Sequence, residues 1–207
     1  MSACRIRKGF SWNLFVIILF LCLPALVHSA EPPVRVIQSG TDRALVILKE
    51  TRSGTGTSLR QRKPEILVII DEYFNFDEMA KRALGRPWKD QSPQGQQEFV
   101  KLFKQLLFNT YVDRVDSYTG SNERVVYDGE EVEGEYALVK TRVVGYRDAD
   151  VQVDYRLRLL AGHWKVYDVI VEGVSLVSNY RSQFNSILAS ESFDGLLKKM
   201  RNKVSEQ

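Results

Sequence analysis

The clearest alternation of apolar and polar positions lies in the second half of the chain. Val151–Leu160 has an apolar residue at every odd position and mostly polar residues at the even ones, which predicts a strand with one buried face. Strands are also predicted at Glu123–Tyr127, Tyr136–Tyr146 and Trp164–Val171, the last with apolar groups on both faces. Turn-forming residues separate the four segments, at Asp128–Gly134, Arg147–Asp150 and Ala161–His163. Such short connections predict an antiparallel meander.

Helical spacing of apolar residues dominates the segments on either side of these strands. Helices are predicted at Val34–Arg52, from Pro64, at Asp77–Leu84, from Ser92–Pro93, at Ser175–Ala189 and at Ser192–Asn202. The helix that begins at Ser92–Pro93 has a wide apolar stripe that includes Phe99, Phe103 and Leu107. Helices followed by an antiparallel four-stranded sheet and more helices indicate an α+β fold, with the helices packed on one face of the sheet.

The first 30 residues have the features of a secretory signal peptide. Arg5, Arg7 and Lys8 precede an unbroken apolar run, Leu14–Leu23, and small residues follow. The run is too short for a membrane-spanning helix, and cleavage after residue 29 or 30 is expected. The bulky residue 21 before Cys22 argues against a lipid-modified N-terminus. Residues 31–207 are therefore predicted to form one domain.

Removal of this segment changes the chemistry available to the protein. Both cysteines, Cys4 and Cys22, lie within it, so the mature chain has no thiol for a disulfide, a nucleophile or a metal site. The 29 basic residues lose three members and the 26 acidic residues lose none, which leaves 26 of each and a net charge of 0. A neutral chain lacks the electrostatic footprint of a nucleic-acid-binding protein, and no nucleic acid partner is expected.

The residue types that carry catalysis are sparse in the mature chain. His163 is its one histidine, follows Gly162 in a predicted turn and is expected to be exposed. No loop has the alternating carboxylates of a calcium site, so neither a catalytic set nor a metal site is predicted. Asp168 is the least expected residue, because alternation puts it on the same side of its strand as Trp164, Val166 and Ile170. It is interpreted as a hydrogen-bonded structural carboxylate or as a general base in an apolar pocket.

Apolar and aromatic residues are the richer signal, but periodicity does not distinguish a filled core from a ligand cavity. The segment that follows Trp164–Val171 puts Tyr180, Phe184 and Leu188 on one helical face, with Arg181 near it. Arg181 is interpreted either as a partner in a salt bridge or as a contact for an anionic headgroup at a cavity mouth.

Three segments resemble the MlaC family of periplasmic phospholipid-binding proteins, also called toluene-tolerance or Ttg2-type auxiliary proteins of an ABC transport system. They are DEYFNFDEMAKRALGRPW (Asp71–Trp88), the Gln-rich helix start with Phe99 and Phe103 ahead of Thr110–Tyr111, and GHWKVYDVIVEGVSLVSNYRSQF (Gly162–Phe184). The likeness extends over nearly the whole mature chain, and the combination of motifs is specific.

The resemblance implies an NTF2-like fold, in which a twisted antiparallel sheet is covered by helices around a deep apolar cavity. It implies phospholipid as cargo, no cofactor, no enzymatic activity and a location in the periplasm. The implied partners are an inner-membrane ABC transporter with an MCE-domain protein and an outer-membrane lipoprotein–porin complex. The family's role, ferrying phospholipid across the periplasm, is linked to outer-membrane lipid asymmetry.

Helix stripes and strand parity then select the residues expected to line such a cavity. They are Phe103, Leu107, Tyr111, Val139, Val143, Tyr155, Leu157, Trp164, Val166, Tyr180, Phe184 and Leu188. Two other functions are compatible with the sequence. One is an NTF2-like isomerase or dehydratase with Asp168 as base, and the other is a lipid-free adaptor between transporter components.

Overall fold

The computed structural model describes residues 31–53, 59–116, 123–146 and 149–206. The predicted signal peptide and most of the loop predicted after residue 52 lie outside these ranges. The helices described are α1 (Pro33–Ser53), α2 (Lys63–Tyr73), α3 (Phe76–Leu84), α4 (Pro93–Asp116), α5 (Leu176–Leu188) and α6 (Phe193–Ser205). Each of the predicted helices is confirmed. None of the helices in the described ranges is long and apolar enough to cross a membrane.

Local hydrogen bonds explain where the helices begin. The Asn75 side chain accepts from the backbone N–H of Glu78 at 3.0 Å ahead of α3, and Ser175 accepts from the N–H of Ser178 at 3.0 Å ahead of α5. Ser92 and Ser192 cap α4 and α6 in the same way. Each side chain satisfies a backbone donor that the first turn of a helix leaves unpaired.

The sheet is an antiparallel meander with the order β1-β2-β3-β4-β5. Its strands are β1 (Arg124–Glu133), β2 (Tyr136–Tyr146), β3 (Ala149–Leu160), β4 (His163–Val171) and the two-residue β5 (Val174–Ser175). The four predicted strands and their antiparallel order are confirmed, and β5 extends the edge beside β4. The predicted α+β fold is therefore confirmed.

The predicted turn at Asp128–Gly134 is wrong, because β1 continues through most of it to Glu133. A β-bulge between Tyr127 and Gly129 absorbs the break in register, with Gly129 at a φ of +140° that favours glycine. The charged residues that suggested a turn are exposed on this edge strand, where they discourage pairing with another chain.

A second bulge lies in β4 and overturns the predicted orientation of Asp168. Leu157 pairs with Val166 and Arg156 pairs with Asp168, so Tyr167 is the extra residue. Partners in an antiparallel pair share a face, and Asp168 therefore lies on the face opposite Val166. We call the face of Val166 and Leu157 the inner face and that of Asp168 and Arg156 the outer face.

Helices contact both faces of the sheet, so the expectation that they cover one face is wrong. α1 lies over the inner face, where Ile37 packs in a cluster with Val139 and Leu157. On the outer face, Arg82 of α3 stacks on the Tyr167 ring at 4.3 Å from its centroid, and α5 is hydrogen-bonded to Asp168. The bulge allows the contacts with α3 and α5 on the outer face, because it turns the neighbouring side chains of Tyr167 and Asp168 to that face.

The apolar interior consists of three clusters. The largest, here the helical core, joins α3, α4, α5 and α6, and includes Phe99, Phe103 and Phe184. The second, the inner cluster, lies under α1 against one end of the sheet. The third, the end cluster, joins the C-terminal halves of α1 and α4 to α2 through residues such as Leu48 and Phe108.

Candidate functional site

A cavity of about 810 Å³ lies between the inner face of the sheet and the helix pair α1–α2. This volume is near the upper end of the range for small-molecule sites, about 300–1,000 Å³. The inner cluster closes one end of the cavity, and Ile37 and Val166 belong to the cluster and to the cavity lining. The end cluster borders the other end through Ile47, Leu48 and Leu59.

The sheet contributes one wall of this cavity through a regular pattern. The β2–β3 register pairs Val143 with Val151 and Thr141 with Val153, which puts these side chains on the inner face. Beyond the β4 bulge, Val171 pairs with Val153 and so returns to that face. The wall is a row of short, β-branched side chains.

The helices α1 and α2 form the opposite wall. From α1 the lining residues include Ile37, Thr41, Ala44 and Leu48, at the spacing of one helical face. From α2 they are Ile66, Ile69, Ile70 and Tyr73. None of the side chains of α2 is fully buried. Ile66 and Ile69 pack against the end cluster, but their inward face also borders the cavity.

Gly40 sets how closely the two helices approach. The Tyr73 ring lies against it, and a Cβ added at residue 40 would be only 3.1 Å from the nearest ring atom. The Tyr73 hydroxyl is within hydrogen-bonding distance of Ser39 Oγ at 3.1 Å. Tyr73 therefore fixes α2 to α1 at a position where only glycine leaves enough room.

The lining is mainly apolar, and none of its residues in the described ranges carries a formal charge. The charged residues of this region instead brace the helices from outside. Arg43 of α1 bonds the Glu72 carboxylate of α2 through both terminal nitrogens, and this hydrogen bonding lowers the pKa of Glu72. Lys104 of α4 pairs with Asp71. Charge thus stabilises the position of α2 without entering the cavity.

Tyr155 and Thr141 are the exceptions to an otherwise aliphatic sheet wall, and Tyr127 packs with Tyr155 against the inner cluster. Burial raises the pKa of Tyr155 to about 12, with smaller contributions from Tyr127 and Asp154. Burial also raises the pKa of Tyr127, against an opposing hydrogen bond with Thr41. Both phenols are neutral at physiological pH.

Four of the twelve residues predicted to line a cavity do line this one. They are Tyr111, Val143, Tyr155 and Val166. Three of the four were chosen from strand parity, which the β2–β3 register supports by placing Val139 opposite Tyr155 and Leu157 opposite Ala137. Whether these side chains contact a ligand stays a prediction.

The other eight predicted residues do not border the cavity but pack in the cores. Five lie in or against the helical core, namely Phe103, Leu107, Tyr180, Phe184 and Leu188. Three lie in the inner cluster, namely Val139, Leu157 and Trp164. The helical residues were misplaced because the apolar stripes of α4 and α5 face α3 and α6, whereas they were expected to face the sheet.

Sequence reasoning missed the contribution of α1 and most of α2. A helix was predicted from Pro64, but nothing in its pattern showed that Ile66, Ile69, Ile70 and Tyr73 border a cavity. A usable signal was the composition of α2. Its five consecutive apolar residues, Ile66–Ile70, put apolar side chains around most of the circumference of a short helix.

Asp168 has a structural role on the outer face. Its Oδ1 accepts from the backbone N–H of Val177 at 3.1 Å, and its Oδ2 accepts from the Ser175 hydroxyl at 2.6 Å and from Arg156 at 3.1 Å. The carboxylate is buried and satisfied, and it ties the first turn of α5 to β4. It does not border the cavity, so the geometry does not support the general base of the enzymatic alternative.

The remaining chemical candidates also have ordinary positions. His163 is exposed at the start of β4, as predicted. Arg181 donates from Nε to the carbonyl oxygen of Arg82 at 2.7 Å and so joins α5 to α3. It does not border the cavity, and its contact with a headgroup stays a prediction. Within the described ranges no three His, Cys, Asp or Glu residues cluster closely enough to hold a metal ion.

An antiparallel meander with a helix pair across its inner face and an uncharged cavity between them defines a class of α+β ligand-binding fold. The chain shares this fold with a solved structure, that of the phospholipid-binding protein from Ralstonia solanacearum in complex with a phospholipid. The TM-score is 0.72 at 22% sequence identity, and the match covers 85% of this chain and 98% of that one. Likeness at this level of identity establishes the fold alone.

Sequence comparison gives the family. The MlaC protein family model matches residues 38–202, and the chain therefore belongs to the MlaC family. It is 23% identical over 211 residues to the intermembrane phospholipid transport system binding protein MlaC of Haemophilus influenzae, covering 100% of this chain and 97% of that protein. It is 26% identical over 171 residues to the toluene tolerance protein ttg2D of Pseudomonas putida, covering 82% and 79%. The resemblance drawn from the sequence motifs is confirmed.

Proposed function

We propose that this protein is a periplasmic phospholipid carrier that encloses acyl chains in the cavity between the sheet and α1–α2. The single observation that carries the proposal is the uncharged cavity of about 810 Å³. Family membership supports it, as does the phospholipid bound by the Ralstonia solanacearum protein of the same fold.

The energetics of an acyl chain explain why a carrier needs such an enclosure. Each methylene removed from water contributes about 0.8 kcal/mol, so a chain of about 15 methylenes represents about 12 kcal/mol. A surface patch shields only one side of such a chain. A cavity walled mainly by valine, isoleucine and leucine surrounds it with apolar side chains.

A carrier rather than an enzyme fits the distribution of polar groups. Catalysis needs an acid, a base or a nucleophile at the bound substrate, and among the described residues no ionisable group except tyrosines lines the cavity. A chain that carries lipid between an inner-membrane ABC transporter with an MCE-domain protein and an outer-membrane lipoprotein–porin complex needs only to hold and release it. No cofactor is part of this proposal.

Lipid recovery from the purified protein tests the proposal. We expect native mass spectrometry of mature protein, produced in a phospholipid-containing host, to show added mass that organic extraction identifies as phospholipid. A lipid-free adaptor would show the protein mass alone, and an isomerase or dehydratase would retain a small non-lipid molecule. Either result would overturn the carrier proposal.

A further inference from the structure

Tyr155 lies where the cavity meets the inner cluster. It pairs with Val139 on β2 and with Val169 on β4, at the middle of the sheet. Its ring packs against the inner cluster and also lines the cavity. It is therefore a polar group placed at one end of a sheet wall that consists mainly of valines.

The hydrogen bonds along the lining set Tyr155 apart. Thr141 donates from Oγ1 to the carbonyl oxygen of Val153, and the Tyr73 hydroxyl is bonded to Ser39 and Arg43. In the part of the chain that the structure describes, the Tyr155 hydroxyl has no hydrogen-bond partner from the protein. Tyr155 is only partly buried and lines the cavity, so this hydroxyl is available to a ligand.

The chemistry of the hydroxyl fixes its role as a donor. With a pKa of about 12 it keeps its proton at every physiological pH. A neutral acceptor is favoured over an anionic phosphate, because no cation lines the cavity in the part of the chain that the structure describes. A glycerophospholipid has two kinds of acceptor in its common core, phosphate oxygens and acyl ester oxygens, and only the second kind is neutral.

The surroundings of this end of the cavity are compatible with an acyl ester beside Tyr155. A second, polar pocket of about 190 Å³ shares Val36 and Tyr73 with the cavity and is lined by Ser39, His163 and Lys165 among others. Val36 also packs against the inner cluster, as Tyr155 does. A polar environment thus adjoins the end of the cavity where Tyr155 lies.

We propose that the Tyr155 hydroxyl donates a hydrogen bond to an acyl ester carbonyl of the bound phospholipid, and so favours ester-linked over ether-linked lipids. The inference rests on the proposed carrier function and adds a specificity-determining residue to it. Ether lipids have the same shape and headgroup but lack the carbonyl, so the hydroxyl would lose its partner when one of them binds.

The test compares the binding of a diacyl phospholipid and its dialkyl ether analogue, with matched chains and headgroup, to delipidated protein. We expect wild-type protein to bind the diacyl lipid roughly three- to tenfold more tightly, as one net hydrogen bond predicts. Tyr155→Phe should bind both lipids equally, at the affinity of the wild type for the ether lipid. Tyr127→Phe is the matched control, because Tyr127 packs against the same inner cluster but does not border the cavity, and it should keep the wild-type preference.

Three outcomes would overturn the inference. They are equal affinities in the wild type, a preference that survives Tyr155→Phe, and a preference lost to the same extent in Tyr127→Phe. Thermal unfolding of each variant verifies that it folds. Absence of binding of either lipid to the wild type would overturn the carrier function itself, which distinguishes that failure from failure of the inference alone.

Discussion

The helical core and the cavity are built from equally apolar residues, yet one is filled and the other is open. In the helical core the rings of Phe99, Phe103 and Phe184 lie within 5.3–6.0 Å of one another, centroid to centroid, in stacked and edge-to-face contacts. Across the cavity, valines of the sheet face Ala44 and Gly40 of α1. Aromatic side chains span the gap between helices, whereas these short ones do not span the gap between helix and sheet.

In this protein, side-chain length distinguishes the filled helical core from the open cavity more than hydrophobicity does. Long side chains interdigitate to the density of an organic crystal, and stability depends on each of them. Short β-branched side chains leave a stiff wall with little freedom to collapse inward. Substitutions in the helical core are therefore expected to change stability, and those in the cavity wall to change binding.

The largest effect is expected where the core is densest. Phe103→Ala removes a fully buried ring and should lower the free energy of unfolding by about 3–5 kcal/mol. Val153→Ala, in the cavity wall, should cost about 1 kcal/mol or less because its side chain is only partly packed. Urea denaturation of both variants measures this contrast. Equal losses would contradict the division into a filled and an open region.

Introducing one bulky residue into each region tests whether the helical core is filled and the cavity is open. Leu107→Trp overpacks the helical core and should destabilise the protein by about 1–3 kcal/mol. Val153→Trp should leave stability nearly unchanged and lower lipid affinity, since displacing even two methylenes costs about 1.6 kcal/mol, or a factor of about ten.

Lipid occupancy by native mass spectrometry and urea denaturation, applied to both tryptophan variants, separate the two effects. Val174→Trp is the matched control, because Val174 is exposed beside β4 and does not border the cavity. Its occupancy should equal that of the wild type. Occupancy lowered by Leu107→Trp but not by Val153→Trp would show that the acyl chains lie among the helices α3–α6.

A smaller effect is expected at the junction of the two regions. Asp168→Asn removes the charge that pairs with Arg156 and at least one bond to the start of α5. We expect a loss of about 1–2 kcal/mol in stability, with lipid occupancy unchanged because Asp168 faces away from the cavity. Asp150→Asn, at an exposed carboxylate bonded to Arg142 at 3.2 Å, is the control and should change stability by at most about 0.5 kcal/mol. Loss of bound lipid in Asp168→Asn alone would reopen a functional role for this carboxylate.

The smallest expected effect is a pH dependence of stability that tests the burial of Tyr155 at the border between the cavity and the inner cluster. Its pKa is raised from 10.0 to about 12, so the folded state binds the phenolic proton more tightly than the unfolded chain does. This contribution to stability is complete below about pH 10 and is lost as the pH rises towards 12, amounting to about 1 kcal/mol by about pH 11. Tyr155→Phe should lose less stability than the wild type between about pH 9 and about pH 11, as measured by urea denaturation. Parallel pH profiles would contradict the burial of this phenol.

Much of the fold could be predicted because periodicity reports which face of an element is apolar. Val143 and Tyr155 were placed correctly on the inner face for this reason. The β4 bulge was not predictable, since one extra residue at Tyr167 reverses the parity of Asp168 without changing composition. The sequence also did not indicate which element each apolar helix face packs against. Phe103 and Leu107 have the same spacing whether they face a sheet or another helix.

The absence of a fully buried side chain in α2 has a consequence for how a cell could distinguish a loaded carrier from an unloaded one. A ligand that binds only the folded state stabilises it by mass action, and α2 is the element whose packing a lipid would complete. Its amide hydrogens should exchange more slowly, and its peptide bonds resist proteases better, when lipid is bound. The turnover of the protein would then follow the supply of its cargo.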